Sequence, residues 1–139
     1  MSESEQTLVE QLASIEEQPP LSAEAAAEAT AQLIPATFAG MPPTAQTFFA
    51  VVNANGTLAR GFQAVSAQRL ATGAYQVIFN HNVTGSAYVA TIGTAAAAGP
   101  PSGEISVSPR SGALNGVFIA VRDSAGNSAD RPFHLAVHS

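Results

Sequence analysis

"RLATGAYQVIFNHNVTGSAYVATIG", residues 69–93, carries two alternating apolar runs, each bounded by glycine, with a single charged side chain, Arg69. In "AYQVIFN", Tyr75, Val77 and Phe79 alternate with Gln76, Ile78 and Asn80. In "SAYVATI", Tyr88, Ala90 and Ile92 alternate with Ala87, Val89 and Thr91. Side chains along a strand point to opposite faces in turn. Each run therefore predicts a strand with one face in a core, and Thr72-Gly73 predicts the tight turn before the first.

The same period extends in both directions. "TFFAVVN" stops at "ANGT", where Asn55-Gly56 predicts a hairpin turn. "LARGFQAVSAQRL" follows and reads as one strand, with Gly61 marking a bulge. Downstream, "EISVS" aims Ile105 and Val107 inward, and "GVFIAVRD" aims Val117, Ile119 and Val121 inward with Phe118 and Ala120 outward. "PFHLAVHS" presents Phe133, Leu135 and Val137. The loop "TAAAAGPPSG" is long enough to predict a crossing between sheets. About seven short strands separated by turn signals predict a mainly β fold, an antiparallel β-sandwich or jelly roll.

Upstream the character changes. Residues 1–34 predict an acidic, alanine-rich helical arm: "SEQTLVEQLASIEEQ" places Leu8, Leu12 and Ile15 on one face after a Ser4 cap, and Pro19-Pro20 ends it. "SAEAAAEATAQLI" starts at Ser22, a second cap, and runs to Pro35. Residues 35–46, "PATFAGMPPTAQ", predict a semi-rigid proline-rich linker, with Phe38 and Met41 as apolar anchors. The β-domain then spans 47–139.

Of 139 residues, 46% are hydrophobic and 11% charged, against about a quarter charged in ordinary domains. An exterior so poor in charge suits a surface covered by copies of itself. Seven of the ten acids lie in the first 28 positions; from 47 onward five arginines face three acids, and lysine is absent throughout. An acidic arm on a mildly basic body either attracts a neighbour's body or is a solvated tail. The net charge of −5 and the scattered arginines argue against nucleic-acid binding. No run reaches the roughly 20 apolar residues of a membrane span, and "MSESEQ" does not read as a secretory signal. Any extracellular or particle-associated location is thus expected to be reached by another route. With no cysteine, no disulfide or thiolate site can form.

Candidate chemistry is sparse. His134 and His138 lie four apart on a strand, roughly 13 Å, too far to share an ion, and His81 falls in a turn. "DSAGNSAD", 123–130, offers Asp123, Ser124, Asn127, Ser128 and Asp130, so calcium and an Asx-stabilised hairpin loop both remain open. No Gly-x-Ser-x-Gly elbow, carboxylate pair or phosphate loop is found, so neither an enzyme nor a cofactor is expected.

Three segments carry a resemblance: "FAVVNANGTLARG", the opening stretch, and "DRPFHLAVHS". With Asn53, Gly56 and Thr57, then Gly73, Tyr75, Val77 and Phe79, then Ala87, Tyr88, Ala90, Thr91 and Gly93, and last Phe133, His134, Leu135 and Val137, the chain resembles a bacterial β-domain family. Ser86 stands where members of that family often have cysteine. The glycine-tyrosine strand is also similar to heads of phage tail fibres and trimeric bacterial surface proteins. The resemblance covers about two-thirds of the chain, leaves the first 46 residues outside, and implies a structural or surface role without any catalytic residue.

Several strands are apolar on both faces, and the outer face of an isolated sandwich is normally wet. A further covering layer is therefore expected, either the N-terminal helices or other subunits. The expected function is a non-enzymatic subunit assembling with copies of itself through Phe38, Met41, Ile78 and Phe118. The alternative is a head module that binds a surface glycan or receptor, with Tyr88 as the ligand-binding ring.

Overall fold

A computed structural model describes residues 18–31 and 46–139. Eight antiparallel strands form two four-stranded sheets packed face to face, the sandwich of the two expected architectures. In chain order they are β1 (Thr47–Val52), β2 (Leu58–Phe62), β3 (Ala64–Ala71), β4 (Ala74–Phe79), β5 (Ala87–Ile92), β6 (Glu104–Pro109), β7 (Gly116–Arg122) and β8 (Phe133–His138). One sheet runs β2-β1-β8-β5 and the other β3-β4-β7-β6. The 93–103 loop does cross between sheets, from β5 to β6.

The inward residues are those that the alternation predicts. Phe48, Tyr75, Val77, Phe79, Val117, Ile119, Phe133, Leu135 and Val137 fill the space between the sheets. Tyr75 meets Phe133 edge to face, with ring centroids 5.2 Å apart, an arrangement favoured by ring quadrupoles.

Residues 58–70 depart from expectation. The chain makes two strands there, not one, and changes sheets at Gln63, where φ is +62°. That backbone state costs a non-glycine residue strain. It is held because Asn80 donates its backbone N–H to Gln63 O at 3.1 Å and its side-chain amide bonds Gln63 Oε1. The register skip in β2 falls at Ala59, between Arg60 and Leu58, rather than at Gly61. In the β1–β2 turn only Gly56, at φ +92°, takes a positive angle; Asn55 does not.

Tyr75 also ties one end of the sandwich together. Its hydroxyl lies 2.6 Å from Ala54 O and 3.1 Å from Asp130 Oδ1. Asp130 accepts from Gly73 N–H at 2.9 Å and from Arg69 Nε at 2.9 Å. Partial desolvation pushes this carboxyl upward, but the hydrogen bonds from Gly73, Arg69 and Tyr75 bring it below its ordinary 3.8. Burial, and then the Asp130 charge, push the Tyr75 phenol up to about 12. Burial likewise raises Tyr88, the only other tyrosine. A phenol raised on folding contributes stability that is whole below its ordinary value of 10 and is lost as pH rises through the folded value. Phenolate absorbance of the native protein should therefore rise at higher pH than it does in urea, where both rings titrate near 10. Half of the signal titrating natively at 10 would mean that one ring is free.

The part of the outer face of the β3-β4-β7-β6 sheet around Ile78 is covered from within the chain. A helix, α1 (Ala23–Ala31), begins at Ser22, whose Oγ accepts from Ala25 N–H at 3.1 Å, as the expected cap requires. Its small side chains let it lie close: Ala29 packs with Ile78 and Ala113, flanked by Leu21 and Val65. Asn115 donates its amide to both Ala29 O and Phe79 O at 2.8 Å, joining helix to strand. Ahead of α1, the Arg110 guanidinium, only 3% exposed, binds Gln76 Oε1 at 2.8 Å and Pro19 O at 2.7 Å. Gln18 in turn accepts from Ser111 N–H at 2.9 Å and donates to Pro109 O at 3.0 Å. Every described buried polar side chain here has a partner. The cover over Ile78 is the protein's own helix, while Gln68 and Ser106 on the same face are exposed.

Candidate interaction face

The β2-β1-β8-β5 sheet has no such cover among the described residues, and its register sets the pattern of its outer face. Phe62 lies opposite Phe49, Phe49 opposite Ala136, and Ala136 opposite Val89. Cross-strand partners share a face, so these four side chains form one apolar row across all four strands. Their inward neighbours, Phe48, Ala50, Leu135 and Val137, are buried. Phe49 is 41% exposed, Phe62 49% and Val89 58%, so the row faces solvent. The two rings stack, with centroids 6.5 Å apart.

A second row beside it reads Arg60, Val51, His134 and Thr91. Arg60 is the one formally charged side chain facing out of this sheet among the described residues. His134 is turned away from metal chemistry: its Nε2 lies 2.9 Å from Thr94 O, a carbonyl, and so carries the proton and donates. A shallow apolar depression lies between the rows, lined by Phe49, Val51, Arg60, Val89, His134 and Ala136. It offers dispersion contacts and very little polarity.

The residues expected to form the interface do not converge on this face. Ile78 is wholly buried against Ala29 and Ala113 of its own chain, so it presents nothing to a second copy. Phe118, on the outer side of β7 between Gln76 and Ser108, is half-buried. Phe38 and Met41 lie outside the described residues. Tyr88 points inward, packs on the core and donates its hydroxyl to Val83 O at 2.6 Å. Its ring is not displayed as a glycan platform would be. The row itself was legible in part, because two adjacent phenylalanines on a strand, Phe48-Phe49, must send one ring outward.

The 123–130 loop forms a hairpin end. Asp123 accepts from the backbone N–H groups of Ala125 and Asn127, both at 3.0 Å, in the manner of an Asx turn. Those bonds, led by Asn127, hold its carboxyl below 3.8. Asp130 is committed elsewhere, to Gly73, Arg69 and Tyr75. Among the described residues no three histidines or carboxylates come together in a metal-binding group. No protein-family model, curated protein or solved structure matches the chain.

Proposed function

We propose that this protein is a non-enzymatic structural subunit that associates with copies of itself through the outer face of the β2-β1-β8-β5 sheet. One observation carries the reading: the row Phe62, Phe49, Ala136 and Val89 crosses the whole sheet while remaining exposed. Contiguous apolar surface rimmed by polar groups marks an interaction site more often than bare surface. From residue 47 onward five arginines against three acids leave little repulsion to oppose packing of like β-domains. With α1 on the opposite sheet, the assembly face moves from Ile78 and Phe118 to Phe49 and Phe62. Larger tubes or filaments are the extended form of the same proposal.

The test is the concentration dependence of mass for the full chain, by sedimentation velocity. The wild type should grow in mass with concentration, and Phe49→Glu should stay smaller than wild type at every concentration. Phe49→Glu also gives up the ring contact with Phe62, so its unfolding free energy should fall by about 1 kcal/mol and the chain should stay folded. A wild type that stays monomeric at every concentration removes this function. Association unchanged in Phe49→Glu moves it to another surface.

A further inference from the structure

The β2-β1-β8-β5 sheet has two edges, and they differ in a way that bears on how copies meet. An edge strand presents unpaired backbone groups and invites a further strand unless it is defended by charge, proline or a bulge. β2 carries Arg60 and the skip at Ala59. In the other sheet, β3 carries Arg69 and two register skips, and β6 carries Glu104 and Pro109. β5, "AYVATI", has no charge, no proline and no skip in its pairing with β8.

The polarity of that edge follows from its ladder. Just past β5, Gly93 donates its N–H to Pro132 O at 3.1 Å, opposite each other in the β5–β8 register. Backbone groups of an antiparallel strand alternate between its two sides. Thr91, Val89 and Ala87 therefore bond β8, and Ile92, Ala90 and Tyr88 turn their N–H and C=O groups to the open side. Their side chains point inward while those of Val89, Ala87 and Thr91 point out.

We propose that a second copy of this chain adds its β5 to this edge, antiparallel and about a two-fold axis through Val89. This rests on the self-association reading above and names its geometry. In that register Tyr88 of each copy exchanges backbone bonds with Ala90 of the other. Val89 faces Val89 of the second copy as a non-hydrogen-bonded pair, the kind whose side chains lie closest. The apolar row then runs unbroken across both sheets, from Phe62 of one copy to Phe62 of the other. β5 itself brings no charge to the junction. The contact is isologous, so it closes; further growth uses the doubled row.

The absence of cysteine makes the register directly testable. A Val89→Cys chain holds one thiol, set opposite its own copy at about 4.5–5.5 Å between Cα atoms, within reach of a disulfide. Under oxidised glutathione, at concentrations where the wild type associates, Val89→Cys should cross-link on the order of 100-fold faster than Thr91→Cys or Ala87→Cys alone, since proximity raises the effective thiol concentration from micromolar to millimolar. Those two controls lie roughly 13 Å from their own copies, but face each other. A mixture of Ala87→Cys and Thr91→Cys chains should therefore give the mixed dimer quickly. Association of the wild type without preferential cross-linking at Val89, or without the mixed dimer, overturns the edge pairing and leaves the self-association reading in place. A wild type that never associates overturns both.

Discussion

Replacing Gly73 by alanine is expected to cost upwards of about 4 kcal/mol, a large share of the ~5–15 kcal/mol by which whole domains are stable. Two separate penalties meet at this position. The backbone sits at φ +69°, where a Cβ is strained. The added Cβ would also be driven into the Val121 carbonyl and against the Ala129 backbone. Neither neighbour can yield easily. Val121 donates its N–H to Gly73 O at 2.7 Å, and Gly73 N–H is held by Asp130. Gly126 supplies the control, because its φ is +89° but nothing lies within 4 Å of an added Cβ. Gly126→Ala should therefore lose only the backbone share, about 1–2 kcal/mol. Urea denaturation of the two variants separates the terms, and equal midpoints would show that the close approach at Gly73 is of no consequence.

Removing the covering helix should have a comparable effect by a different route. A chain of residues 46–139 loses Leu21, Ala25 and Ala29, and with them the burial of Ile78 and much of that of Val65. Exposing a buried isoleucine costs about 1.5–3 kcal/mol. With the smaller side chains and the Pro19 and Ala29 carbonyls lost to Arg110 and Asn115, we expect about 3–5 kcal/mol in all. The shortened chain should also bind more of a hydrophobic dye than the full chain does. A denaturation midpoint unchanged from the full chain would show that α1 is a passive attachment and that the sheet beneath it tolerates water.

These two results bear on how far the amino-acid order could be read. Period-two alternation separated the two faces of β4, β5, β7 and β8, because burial on one face leaves a sharp local trace, but it did not say which face of β5 turns inward, and Tyr88 was expected at a ligand instead. The sheet change at Gln63 left none. A glutamine carries no backbone signal for positive φ, and the partner that stabilises it, Asn80, is 17 residues away. The position of α1 was equally hidden. Alanines fit against many surfaces, so their pattern says helix without saying where it docks. Expecting a cover over Ile78 was sound physically, but the cover is supplied in cis. What then remains open to a partner is the opposite sheet, whose Phe49 shares its strand with buried Phe48.

The placement of β8 has a consequence for the order of events during synthesis. β8 lies between β1 and β5, so 81 positions separate Val52 from its partner Phe133, and 91 separate Thr47 from His138. Such distant pairing makes a chain fold slowly. The other sheet is encoded within residues 64–122 and can close earlier. Ala136, the link in the apolar row, arrives with β8. Until β8 has emerged, a nascent chain thus holds Phe49 and Val89 on strands that have not met, and copies at that stage lack the finished row.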